Sequence, residues 1–327
     1  MIATLLCFSF ANLSLSFITK YNEKMEIFAT PTIELEGYTG AILHSSQTLA
    51  WEENGTIISN AANSQDSTDI CPDGSGGAVI VRTDNREGGD INIYAQRISA
   101  AGVRQWSPSN GIIICNASGD QINPQISRTS TGEYIITWRD QRTDLGDIYA
   151  QKVSATDIRQ WTPSNGVVLC DASGEQTLQK ICCDNTGGAF IVWQDWRGTY
   201  KAIYALRIGF QGTIHGDTDG TRIDEDQTSN LFNSYICSDG NGNAFIAYSD
   251  EDQINPNKAV LVAQKLNSSG KVEWGVRKDL SSGVVENQIE PKMCSDSTGG
   301  AIIIWRDNRN DIRYDNYAQK INSTGDR

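Results

Sequence analysis

Apolar residues in this chain come in short runs of β-branched and aromatic side chains, each closed by Gly, Asn, Asp or Ser, and nowhere do they settle into a sustained helical period. The runs recur in register. Ile70-Cys71-Pro72-Asp73 leads through a glycine turn to Ala78-Val79-Ile80-Val81, and the same line returns from Ile181, Ile236 and Met293, with a weaker copy from Ile126. These copies lie 55 to 57 residues apart, a period that signals stacked supersecondary units.

The second copy divides into four candidate strands. A short segment around Pro124-Gln125-Ile126-Ser127 is followed by Tyr134-Ile135-Ile136-Thr137-Trp138, then Asp147 to Val153, then a segment from Trp161 to Cys170. Four short strands per unit, repeated, predict an all-β fold, a β-propeller of four-stranded blades. The second run is apolar without alternation, as expected where neighbouring blades cover both faces of a sheet. The turns Asp73–Gly76, Asp184–Gly187, Asp239–Gly242 and Asp296–Gly299 place an Asp to accept backbone N–H groups and a Gly to take the positive φ. Trp51, Trp106, Trp161 and Trp274 mark fourth strands, and the C-terminus stops after a third strand, Tyr317 to Ile321. A strand around Trp51–Ser59 is therefore expected to complete the C-terminal blade and close a five-bladed ring. A faint third-strand likeness in Ala41-Ile42-Leu43 leaves six blades, or a segment of a longer array, as the alternative.

The formal net charge of −13 argues against a nucleic-acid groove, which needs clustered Lys and Arg. Ile2 to Phe17 is apolar but too short and too interrupted to span a bilayer, so no membrane span is expected. It fits the apolar region of a secretory signal, giving a leader over 1–36 ahead of one propeller domain over 37–327, although no Lys or Arg precedes it. Of the eight cysteines, Cys71, Cys182, Cys237 and Cys294 share one repeat position and Cys115 and Cys170 another, and most of the eight read as buried free thiols.

The second strand ends in a recurring Trp-x-Asp-x-Arg: Trp138, Asp140 and Arg142; Trp193, Asp195 and Arg197; Trp305, Asp307 and Arg309. The first unit keeps Asp84 and Arg86 but has Arg82 in place of Trp; the fourth has Tyr248, Asp250, Glu251 and Asp252, and so loses the Arg. Ile-Tyr-Ala-Gln follows as Ile93 to Gln96 and Ile148 to Gln151. This combination resembles the Trp-x-Asp-x-Arg and Asp-Ile-Tyr-Ala-Gln repeats of secreted prokaryotic β-propeller proteins, mostly of unassigned activity. The resemblance implies a propeller and a secreted or cell-surface setting, and no reaction.

A group repeated in every unit is what a structural corner requires, whereas catalysis needs unlike groups converging once. Ligand contacts are therefore expected where the copies disagree: Trp196, an extra aromatic, and the acidic Asp250, Glu251 and Asp252. Asp217, Asp219, Asp224, Glu225 and Asp226 form a second acidic group beside His215. Such a cluster could hold a cation with oxygen ligands, calcium being the candidate, or be an ordinary solvated loop, and no other cofactor is expected. On these grounds the chain reads as a non-catalytic binding or adhesion module for a glycan or protein ligand, as a monomer or part of a larger chain. A glycoside hydrolase or lyase using rim carboxylates, and a structural segment of a larger surface protein, are the alternatives.

Overall fold

The computed structural model describes residues 51–327 apart from 144, 225–227, 252–257, 282–286 and 311–312. The chain divides into two compact units, Met1–Thr48 and Leu49–Arg327. The first unit, with the expected leader, lies outside the described residues, as does Asp252.

The second unit is all-β and propeller-like, with five antiparallel sheets among the described residues, met in chain order. Sheet one holds β1 (Gln65–Pro72), β2 (Ala78–Asp84), β3 (Asn92–Ile98) and β4 (Ile112–Cys115). Sheet two holds β5 (Gln121–Arg128), β6 (Tyr134–Asp140), β7 (Asp147–Val153) and β8 (Val167–Cys170). Sheet three holds β9 (Gln176–Cys183), β10 (Ala189–Asp195), β11 (Ala202–Ile208), β12 (Ile214–His215) and β13 (Thr221–Arg222), the last two both pairing with β11. Sheet four holds β14 (Leu231–Ser238), β15 (Ala244–Glu251), β16 (Ala259–Leu266) and β17 (Lys278–Asp279); sheet five holds β18 (Gln288–Ser295), β19 (Ala301–Asp307) and β20 (Asp315–Ile321). No helix among the described residues is long and apolar enough to cross a membrane.

The unbroken apolar second strands are explained by the packing. Alternate residues of a strand point to opposite faces, and in β6 Ile136 and Trp138 join a core with Val79 and Val81 of sheet one, while Ile135 joins Ile191 and Trp193 of sheet three. Phe190 and Val192 face Ile246 and Tyr248, and Phe245 and Ala247 face Ile303 and Trp305. Each such side chain contributes about 1.5–3 kcal/mol on burial, so every one of these sheets is held by its neighbours.

The turn between first and second strands is built as the residues predict. Asp184 accepts the N–H groups of Thr186 at 2.7 Å and Gly188 at 2.8 Å. Gly187 takes a φ of +95°, and a Cβ on Gly188 would stand 2.1 Å from the Ile208 carbonyl oxygen.

Closure departs from expectation. Residues 51–59 hold no strand, and among the described residues sheet five has three strands. A Glu52–Gly55 turn, closed by a 2.9 Å bond and a φ of +89° at Gly55, breaks the segment before it can extend. Trp51 nevertheless donates to the Ala100 carbonyl at 3.0 Å, as Trp106 does to Ala155 and Trp161 to Phe210, so it docks on sheet one as a fourth-strand tryptophan would. On the far face of sheet five Ile302 and Ile304 are 41% and 49% exposed, and Ile70 of β1 is 62% exposed. A ring closed by direct contact of sheets five and one would bury all three.

Candidate functional site

The Trp-x-Asp-x-Arg motif forms a self-contained corner. In sheet three, Asp195 is fully buried and accepts Trp193 Nε1 at 2.9 Å, Arg197 Nε at 2.9 Å and Arg197 Nη2 at 2.6 Å. Arg197 also donates to the Asp219 carbonyl at 2.8 Å and lies 3.9 Å from the centre of the Tyr204 ring. Asp140 with Trp138 and Arg142, over Tyr149, repeats this arrangement, as does Asp307 with Trp305 and Arg309, over Tyr317. In sheet one Arg82 supplies the donor that Trp supplies elsewhere, so Asp84 receives both Arg82 and Arg86. Burial alone would raise the Asp307 carboxyl, but bonds from Arg309 and Trp305 win and hold it below its ordinary value. The linked Tyr-Ala-Gln is explained too: the Tyr lies under the guanidinium, and Gln151 Oε1 accepts the Trp161 N–H at 2.9 Å.

The junction between sheets three and four breaks this pattern. Asp224 stands at the end of sheet three where sheet two ends in Cys170, a thiol that accepts Arg197 Nη2 at 3.1 Å. Tyr248 replaces Trp and donates to Asp224 Oδ2 at 2.8 Å rather than to its own strand's Asp250. The Arg lost after Asp250 is replaced in space by Arg277, whose two terminal nitrogens reach Asp224 Oδ2 and Asp250 Oδ2, each at 2.5 Å. One guanidinium thus bridges two carboxylates. Burial pushes the Asp250 carboxyl above its ordinary range and Asp224 adds to the rise; Arg277 opposes it, and Ser229 lies close enough to ease it without a geometrically sound hydrogen bond. Burial and Asp224 also push the Tyr248 phenol well above its usual value. Asp224 and Arg277 line a cavity of ≈ 670 Å³ with Thr221, Gln264, Glu273 and Trp274.

The other expected ligand residues have separate partners. Trp196 is exposed, with Lys201 Nζ 4.6 Å from its ring centre, and Glu251 accepts Asn230 Nδ2 at 2.6 Å. Asp250 is buried and paired with Arg277. Asp217 pairs with Lys271. Among the described residues no three His, Cys, Asp or Glu side chains gather as metal ligands.

A different set of unlike groups does converge, on the first strands. Each carries a two-residue register break: Ser67-Thr68, Asn123-Pro124, Leu178-Gln179, Asn233-Ser234 and Glu290-Pro291. The first residue of every pair takes a left-handed φ of 46° to 56° although none is Gly. These are β-bulges, and left-handed non-glycine backbone is costly enough to mark a site. The residue after each bulge is Asp69, Gln125, Lys180, Tyr235 and Lys292 in turn. Lys180 Nζ donates to Gln125 Oε1 at 3.0 Å, the Ile126 N–H donates to Asp69 Oδ2 at 2.9 Å, and Lys292 Nζ stands 4.8 Å from the Tyr235 ring centre. Burial and then Lys292 pull the Lys180 ammonium below its ordinary value, with Asp69 opposing. Burial and then Asp69 push the Tyr235 phenol up. Groups from sheets one, three, four and five therefore share one electrostatic neighbourhood. A cavity of ≈ 310 Å³ opens beside it, lined by Ser67, Asn123, Pro124, Leu178 and Lys180 among others.

The repeat hides this cluster, because a position lettered differently in every copy does not register as a motif. The usable signal is a proline inside an otherwise strand-like run, at Pro124 and Pro291, since proline is tolerated in a strand at a bulge.

No family model matches the chain, and no curated protein matches it. Solved structures do. The catalytic domain of a GH62 α-L-arabinofuranosidase from Coprinopsis cinerea is 10% identical at a TM-score of 0.38, covering 77% of this chain and 88% of that one. An endo-arabinase from Bacteroides thetaiotaomicron is 13% identical at 0.42, covering 82% and 97%. A polysaccharide lyase of family PL25, an ulvan lyase, is 10% identical at 0.47, covering 77% and 69%. At these identities the likeness is one of fold and gives no residue a role. Their descriptions are nonetheless those of glycan-cleaving enzymes, and that finding corrects the expectation of a non-catalytic binding or adhesion module.

Proposed function

We propose that the chain is a glycan-cleaving enzyme whose reacting groups are Asp69, Gln125, Lys180, Tyr235 and Lys292. One observation carries this reading: at the position that each bulge redirects, units otherwise alike present an acid, an amide, a phenol and two amines to one another. The corner carboxylates do not compete for the role, because Asp84, Asp140, Asp195 and Asp307 are buried and each held by its own Arg. Tyr235 holds its proton and serves as donor; Lys180, eased toward its neutral form, serves as acceptor. A polymeric glycan is met outside the cell, the setting that the repeat resemblance implies.

The test is release of reducing ends from a panel of neutral and acidic polysaccharides by the purified protein. Tyr235→Phe and Lys180→Met should each lower turnover about 100-fold or more, the usual weight of a positioned acid or base, with an unchanged unfolding midpoint. Full turnover in both variants, or no product from any glycan, would sink the reading.

A further inference from the structure

We infer that this site takes a uronic acid residue, holding its carboxylate with Lys292 and breaking the chain by β-elimination rather than hydrolysis. The inference rests on the glycan-cleaving reading and adds the substrate class and the bond chemistry.

Charge is the first ground. The protein carries −13 overall, yet the cluster sets Lys180 and Lys292 against Asp69 alone, and Asp69 already commits one oxygen to the Ile126 N–H. With Lys180 eased toward its neutral amine, the exposed Lys292 ammonium faces a carboxylate that is already engaged, and so can meet an anionic ligand from solvent. Lys292 is exposed and Lys180 half-buried, which leaves the first to meet a carboxylate from solvent and the second to face the ring behind it.

The inventory of groups is the second ground. Hydrolysis by the usual route needs two carboxyl groups about 5–9.5 Å apart across the bond. Among the described residues the redirected positions supply one carboxyl, Asp69, and besides it an amide, the two lysine amines and a phenol, the last three of these serving here as base, carboxylate partner and acid. Elimination needs those three. The Lys180 amine takes the proton from C5, next to the carboxylate whose developing charge Lys292 offsets. The C5–H pair becomes the C4=C5 double bond, the C4–O4 bond breaks with its pair going to O4, and Tyr235 gives O4 its proton. Lys180 has gained one proton and Tyr235 has lost one, so exchange with solvent restores both and no co-reactant is consumed. The adjoining cavity of ≈ 310 Å³ lies at the small end of ligand pockets, which run from about 300 to 1,000 Å³.

The experiment compares polygalacturonate and alginate with their carboxyl-reduced forms and with arabinan, following reducing ends and the ultraviolet absorbance of the unsaturated product together. Binding of saturated oligogalacturonate is measured alongside by calorimetry. Both signals should rise in step on a polyuronate and vanish on its carboxyl-reduced form. Lys292→Met should weaken oligogalacturonate binding and raise KM at least tenfold, while Lys180→Met, which removes the base and leaves the Lys292 ammonium in place, should bind as wild type and lose turnover. Reducing ends without the double bond, or equal cleavage of the carboxyl-reduced polymer, would overturn the inference and leave the glycan-cleaving reading standing. Lysine-dependent binding of oligogalacturonate with no bond broken in any glycan would overturn the cleavage reading and elimination with it.

Discussion

Replacing Asp195 by Ala should remove the centre of the sheet-three corner. The substitution deletes the acceptor for Trp193 Nε1 and for two Arg197 nitrogens, and leaves Arg197 beside Tyr204 with only the Asp219 carbonyl and the Cys170 sulfur to bond. Breaking a buried ion pair by removing one partner costs about 3–5 kcal/mol. The Arg197 side chain is 22% exposed and can recover some hydration, so the lower end, about 3 kcal/mol, applies to the pair. The buried Trp193 N–H, left without an acceptor, adds about 1 kcal/mol or more, for a total near 4 kcal/mol. With an m-value of about 3 kcal/mol per M in urea, the midpoint should fall by about 1.3 M, read by tryptophan fluorescence. Asp195→Asn should fall less, because it keeps an acceptor for Trp193. A shift under about 0.3 M for Asp195→Ala would put the corner in the class of exposed ion pairs and refute the reasoning.

The sheet-three to sheet-four junction should behave oppositely. Asp250→Asn leaves Arg277 with Asp224, a one-to-one pair, and so should cost under about 1 kcal/mol at neutral pH, where Asp195→Asn costs about 3. Because the folded Asp250 carboxyl titrates above its unfolded value of about 3.9, the fold favours its protonated form; wild type therefore loses stability relative to Asp250→Asn as pH rises through that window. Urea curves at several pH values check the sign, and wild type gaining on the variant as pH rises would contradict it. Burial pushes the thiols of Cys71, Cys170 and Cys237 up to about 12 and Cys115 up to about 11, so these should resist an aromatic disulfide reagent until unfolding, while exposed Cys294 reacts at once. Mass mapping of early-labelled peptides would expose any of the four reacting as fast as Cys294.

The parts of the fold legible in the sequence are those that each unit builds alone. The Asp184 turn, the both-faces-buried β6 and the Asp-Arg corner recur because every sheet needs the same local bonds, and repetition makes them visible. Arg277 is not legible as the partner of Asp250, since it comes from a loop 27 positions away and meets its carboxylates only after two sheets have packed. Closure escapes the sequence for a related reason. Trp51 keeps its tryptophan's bond to the next sheet, but that bond does not require a strand beneath it. The convergence of Lys180, Lys292, Tyr235 and Asp69 depends on strands from different units approaching one another, which no single unit encodes.

The bulge has a consequence for how such a molecule can change. A regular strand ties each residue's identity to its parity: odd positions serve one core, even positions the other, and a swap in either disturbs the packing. The one extra residue suspends that rule locally, so the side chain that follows is released from the strict alternation. Asp69, Gln125, Lys180, Tyr235 and Lys292 differ in size, charge and polarity while the strands bearing them all shift register by one residue at the same place. Five addresses can then be rewritten one at a time on a scaffold that does not notice, which makes the kink less a flaw in the strand than a socket for interchangeable parts.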